Sequence, residues 1–348
     1  MVRVVFALLL ATATGAAGYA VGAGHLQAAG RTLPTDAPAP AVAQPPRVEN
    51  AAAPSPAAAA PDTAPLPETG AARMLEILGP FEPAPATNTT RPFPGAKAGD
   101  KLSRPAGLHA AIFAKDKPDD AEIARIAAWL FGVRGGGLSW KGCGLGSGAP
   151  DQTCPVRVVD AAVWSEGRSD HLMILVATDA PGAEPAHVES GYLGAATVRW
   201  DGKGWVLDAG TASAIACGSW GRACDGRIRQ VRGHRPIAVY SSGYTAQGVT
   251  EMQAGVLVPG EGVVRHALMV PSVTADGNRE CATWPAELEC SSWFSDVEPE
   301  RAPGDAPYPN LRQSFRFGEE DGLRSRIVLE RVYAYKDGAY VLAEERSY

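Results

Sequence analysis

None of the six cysteines in this 348-residue chain stands in a C-x-x-C pair. That absence removes a thioredoxin-like redox centre and a local zinc knuckle from consideration. No cysteine precedes Cys143, which excludes a lipoprotein anchor on the N-terminal segment. His25, His109, His171, His187, His234 and His266 form neither H-x-H nor H-E-x-x-H, so the histidines carry no metal-ligand spacing. A G-x-S-x-G elbow is missing too: "GLSWK" around Ser139 and "SWGRA" around Ser219 both depart from it. The glycines of "GCGLGSG" lack the preceding strand, the following helix and the Lys-Ser/Thr ending of a phosphate loop. No metal and no cofactor is therefore expected. A serine triad assembled from distant residues remains open, because triads are defined by geometry and not by order.

The cysteines that are present fall into three sequence-local pairs: Cys143 with Cys154, Cys217 with Cys224, and Cys281 with Cys290. Short-range closure favours neighbour pairing, and each such loop contributes about 2.5–3 kcal/mol in the chain-entropy model. Three local disulfides imply an oxidising compartment.

The N-terminus agrees with export. After Arg3, the stretch from Val4 to Gly24 has no charge and is long enough, at about 31 Å as a helix, to span a bilayer core. Residues 1–24 are read as a signal peptide or a single membrane anchor, with Ala11-Thr12-Ala13 and Ala20-Val21-Gly22 as small-residue cleavage sites. Residues 25–105 read as a Pro/Ala-rich disordered spacer. Ten prolines among residues 32–70 prevent helices and ladders there, and the contour of that part is about 120 Å as polyproline II. Within it, "AARMLEILGPF" (71–81) is a short apolar helix suited to docking on the main domain.

Residues 106–348 are expected to form one exported β-rich domain. "PDDAEIARIAAWLFGVRGGG" is an amphipathic helix, with Ile123, Ile126, Ala127 and Leu130 on one stripe and Gly132 at its stop. Beyond it the pattern turns to strands. "PVRVVDAAVW" and "HLMILVAT" are apolar runs, the second continuous and so buried on both faces. "AATVRWDGKGWVLDAG", "GVLVPGEGVVRHALMV" and "RIVLERVYAYKDGAYVLAEE" read as hairpins, and "RPIAVYSSG" as a further strand. About nine strands without helix-length crossovers indicate a mainly β fold (α+β). The expected architecture is an antiparallel sandwich or folded meander with three disulfide-closed loops.

One stretch runs against the charge of the whole. The chain carries −6, yet "WGRACDGRIRQVRGHR" carries +4. Guanidinium forks grip phosphate or carboxylate bidentately, so Trp220, Arg222, Arg227, Arg229, Arg232, His234 and Arg235 are the candidate anion- or partner-binding residues. The competing reading is a charged edge strand whose arginines prevent edge-to-edge pairing. Asp160, Glu166 and Asp170, in "DAAVWSEGRSD", are the candidate acid–base carboxylates, although carboxylates between two strands are commonly just solvated. Trp140, Trp220, Trp284 and Trp293 lie in or near cysteine loops, either packed on the disulfides or exposed for binding.

The sequence thus favours binding or scaffolding within a cell envelope over an enzyme, with an envelope hydrolase as the alternative. Its expected partner is an envelope protein or an anionic envelope polymer, with membrane contact through residues 1–24 if they are retained. Net acidity and export argue against nucleic acid. The expected location is periplasmic, anchored to the inner membrane or released by cleavage, with secretion also compatible.

Overall fold

The computed structural model describes residues 69–79, 91–103, 120–133, 137–144, 151–181, 189–246, 249–276, 292–317 and 327–348. They contain helices α1 (Thr69–Leu78) and α2 (Asp120–Phe131) and two antiparallel sheets. Sheet I comprises β1 (Lys101–Ser103), β2 (Ser139–Lys141), β3 (Thr153–Glu166), β4 (Ser169–Thr178), β5 (Gly191–Trp200) and β6 (Gly204–Cys217), in the spatial order β1-β6-β5-β4-β3-β2. Sheet II is a pure meander, in which each strand pairs with its sequence neighbours. Its strands are β7 (Asp225–Arg229), β8 (Ile237–Ala246), β9 (Val249–Pro259), β10 (Val264–Asp276), β11 (Trp293–Glu300), β12 (Asn310–Phe317), β13 (Leu329–Lys336) and β14 (Ala339–Ser347).

The mainly β expectation is met, with fourteen strands among the described residues instead of about nine. Ordered chain also begins well before residue 106. Residues 91–103 lie on sheet I, where β1 pairs with β6, Arg91 bridges to Ser213 and Phe93 enters the core. The reason is in the residues: despite Pro92 and Pro94 beside it, Phe93 with Leu102 supplies enough apolar bulk to stay down.

β4 shows why the layers stack as they do. Leu172, Ile174 and Val176 join the core under α2, while Met173, Leu175 and Ala177 join the core between the two sheets. A strand covered on both faces has no use for alternation, so its run is continuously apolar. The α2 stripe of Ile123, Ile126 and Leu130 fills the first of these cores. Ala238, Tyr240 and Leu257 of sheet II face the second. The opposite face of β8 and β9, with Ile237, Val256 and Val258, packs against Leu311, Tyr333 and Tyr340, so sheet II folds over on itself. Helix α1 covers its far part, with Met74 wholly buried among Trp293, Phe315, Phe317 and Leu329.

Turn chemistry fixes the hairpins. Asp201 accepts from the backbone N–H of Lys203 and of Gly204, which closes the β5–β6 turn between the paired Trp200 and Trp205. Asp337 and Gly338 both have positive φ in the two-residue β13–β14 turn, the Asp-Gly signature of a tight hairpin.

Two of the three expected staples are formed. Cys143 bonds to Cys154, and Cys217 to Cys224, with Cα separations of 6.0 and 5.2 Å. Cys281 and Cys290, and Trp284 between them, lie outside the described residues. Two disulfides indicate an oxidising, non-cytoplasmic compartment. Among the described residues no helix is long and apolar enough to cross a membrane, and residues 1–24 lie outside them.

Candidate binding surface

The stapled loop follows directly from β6. Cys217 and Cys224 are buried, and the chain between them turns through three residues of positive φ: Gly218, Trp220 and Gly221. Gly218 admits no side chain, since a Cβ there would lie 2.1 Å from the Arg222 carbonyl oxygen. The loop is then sewn to the segments flanking it. Gly221 accepts from the Ala180 N–H and donates to the Glu189 carbonyl, while Asp179 accepts from the Ala223 N–H at 2.9 Å. Gly191 lies so close beneath that a Cβ on it would meet the Ala223 nitrogen at 2.3 Å. No group of His, Cys, Asp and Glu suited to a metal occurs among the described residues. The loop is a staple.

Beyond it, β7 forms the outer edge of sheet II. Gly226 and Ile228 face the inter-sheet core, opposite Tyr240 and Ala238, so Arg227 and Arg229 point the other way and are exposed. The N–H of Ile228 does not wait for a foreign strand. It donates to the Asp160 carboxylate on β3 at 2.8 Å, and Asp160 reaches that position through a bulge between Val158 and Asp160. Arg157 on β3, three residues after Cys154, lies at the same edge. It sits 3.8 Å from Asp179 and 3.9 Å from Asp225, and it donates to the Ala223 carbonyl.

The seven residues of the basic stretch divide into two groups. Trp220, Arg222, Arg227, Arg229 and Arg232 are exposed, and these four arginines have no ion-pair partner among the described residues. By contrast Arg125, Arg199, Arg312, Arg316, Arg331 and Arg346 each hold a carboxylate. His234, in the β7–β8 turn, is buried, with its Nδ1 2.9 Å from the Ala306 carbonyl in the β11–β12 connection. Arg235 forks onto Glu166 at 2.7 and 2.9 Å. That hydrogen bond is the main reason the Glu166 carboxyl titrates below its ordinary value and the Arg235 guanidinium above its own. The available cations are therefore Arg222, Arg227, Arg229 and Arg232, which follow the chain from the staple along β7 to its turn.

The acid–base candidates do not converge. Asp160 holds two backbone N–H groups, Glu166 holds Arg235, and Asp170 accepts from the Ser165 hydroxyl. His171 stacks on Trp164 at 4.9 Å and has Asp208 at 3.3 Å, with Arg199 on the other carboxylate oxygen at 3.4 Å. Burial pushes its imidazole below the ordinary value, and Asp208 pulls partly against that. The partners of His171 are thus Asp208 on β6 and the Trp164 ring on β3, which hold the imidazole against sheet I. Sequence reasoning missed Asp208 and Arg157, because each acquires its partners across strands and carries no local motif.

No protein family, curated protein or solved structure matches this chain, and the surface is read from its own geometry.

Proposed function

We propose that the protein is an exported cell-envelope binding or scaffolding module that recognises an anionic polymer through Arg222, Arg227, Arg229 and Arg232. The observation that carries this reading is clustering. These four arginines follow one edge from the staple to the β7–β8 turn, exposed and without a carboxylate partner among the described residues, whereas Arg125, Arg199, Arg312, Arg316, Arg331 and Arg346 each hold one. Guanidinium groups held on a stapled loop and a hydrogen-bonded strand lose less freedom when they close on an anion. Arg235 and His234 are already engaged, by Glu166 and the Ala306 carbonyl, and are left out of this reading. In this reading residues 1–24 export or anchor the domain at the inner membrane, on its periplasmic side, and the Pro/Ala-rich stretch sets its reach.

The test is retention of the full chain on immobilised long-chain polyphosphate at low and raised salt. The wild type should bind and release as salt screens the contacts. The Arg227→Glu, Arg229→Glu, Arg232→Glu triple variant should lose at least about tenfold in affinity with an unchanged melting temperature, since all three side chains are exposed. Equal retention of variant and wild type would refute the arginine reading. The intact mass of the protein from its host's membrane and soluble fractions decides between anchor and cleaved signal.

A further inference from the structure

The stapled loop also carries a second kind of recognition, which depends on its aromatic ring and not on the arginines. The Gly218 N–H at the start of the stapled loop donates to the Ser242 hydroxyl on β8 at 3.2 Å. Trp220 follows Gly218 by two residues, and Tyr244 follows Ser242 by two on the same strand face. Both Cα atoms therefore lie within about 7 Å of that hydrogen bond. The two rings are the largest exposed aromatic surfaces among the described residues, at 64% for Trp220 and 59% for Tyr244.

Neither exposure is incidental to a mobile loop. Trp220 is held at φ +54°, a left-handed conformation that strains a bulky residue and that glycine would adopt without strain. The disulfide and the hydrogen bonds of the loop keep it there. Tyr244 is fixed by its hydroxyl, which donates to Glu251 directly opposite on β9 at 2.8 Å. The surroundings of the rings are polar. Ser242, Glu251 and Gln253 share the strand face of Tyr244, and Ser219 precedes Trp220.

We propose that the stapled loop and this end of the β8–β9 hairpin form a saccharide-binding face, with Trp220 and Tyr244 as stacking platforms. A pyranose presents apolar C–H groups on its faces and hydroxyls around its rim. Two rigid aromatic rings set among hydroxyl, carboxylate and amide groups match that distribution. Large apolar patches mark protein-binding surfaces, and here Ser242, Glu251 and Gln253 surround Tyr244 with hydroxyl, carboxylate and amide groups instead. Aromatic platforms also bind at low entropic cost, because only two torsions are immobilised in each.

The experiment titrates the full chain with chitohexaose and with maltohexaose, following tryptophan fluorescence and heat. At least one should bind and perturb the fluorescence. Trp220→Ala and Tyr244→Ala should each weaken that binding at least about tenfold, while Trp220→Tyr retains most of it and all three keep the wild-type melting temperature. The triple arginine variant should bind these uncharged probes like wild type, which separates this proposal from the anionic one. Absence of binding for both oligosaccharides up to about 10 mM overturns it, as does unaltered binding in both alanine variants.

Discussion

Glu122 is the residue whose removal the structure prices most clearly. It sits in the first turn of α2 and is only 5% exposed. Its carboxylate accepts from Trp205 Nε1 at 2.7 Å and takes a two-pronged fork from Arg125 at 2.6 and 2.8 Å. Glu122→Ala strips the wholly buried Trp205 of a charged acceptor, a loss of about 1.5–3 kcal/mol. Breaking a fully buried ion pair costs about 3–5 kcal/mol, but the Arg125 guanidinium is 24% exposed and also donates to the Ser103 carbonyl, so the lower end applies. The combined expectation is about 3 kcal/mol, or a melting temperature lower by about 6–12 °C for a domain of this size. Glu122→Gln keeps an acceptor for Trp205 and should cost only about 1 kcal/mol. Urea unfolding followed by tryptophan fluorescence measures both, and a cycle with Arg125→Ala isolates the pair at about 1 kcal/mol of coupling. Equal losses for the Ala and Gln variants would show that the charge, and not the Trp205 hydrogen bond, dominates. A loss below about 0.5 kcal/mol for Glu122→Ala would refute the account altogether.

Replacing Cys217 and Cys224 together by Ala should cost about 2.5 kcal/mol from loop closure, leaving a folded domain because four backbone links still hold the loop; calorimetry showing an unfolded chain would contradict this. Acid should weaken the fold first through histidine. His266, buried against the Tyr240 hydroxyl at 2.7 Å, titrates below its ordinary value chiefly because of burial, and His171 does likewise. The unfolded chain therefore takes up protons first, so stability is complete above about pH 7 and falls as pH drops through 6.5 toward the lower folded values. His266→Gln should flatten that decline in denaturant titrations, and an unchanged slope would assign it elsewhere. Met74→Asp should release α1 from Trp293 and Phe315, seen as rapid amide exchange over residues 69–79 with the sheets still protected; loss of protection throughout would make α1 integral to the fold.

What was readable in the sequence is what local pattern encodes. The α2 stripe, the doubly buried β4 and the three hairpins each announce themselves through periodicity and turn residues. β12 hid in plain view. "NLRQSFRF" alternates strictly, but one of its inward positions is Gln313, a polar residue wholly buried because Pro271, Ser295 and Tyr333 satisfy its amide. β1 and β2 are three residues each, too short for any period. At the candidate surface the basic run was visible, but its division was not. Arg235 and His234 are taken up by groups 69 and 72 residues away, a distance across which no local motif operates. β7 is an edge strand with exposed arginines, a placement that both expectations for it allow.

Helix α1 rests on sheet II by side-chain packing, and its end is tied by one hydrogen bond from Arg331 to the Gly79 carbonyl. Residues 91–103 instead lie on sheet I through a bridge and a three-residue ladder. A pull on the chain at its N-terminal side would thus reach α1 before any strand, and what it met first would be side-chain packing and not a hydrogen-bonded ladder. Were that packing to yield alone, the chain would lengthen under tension with both sheets intact.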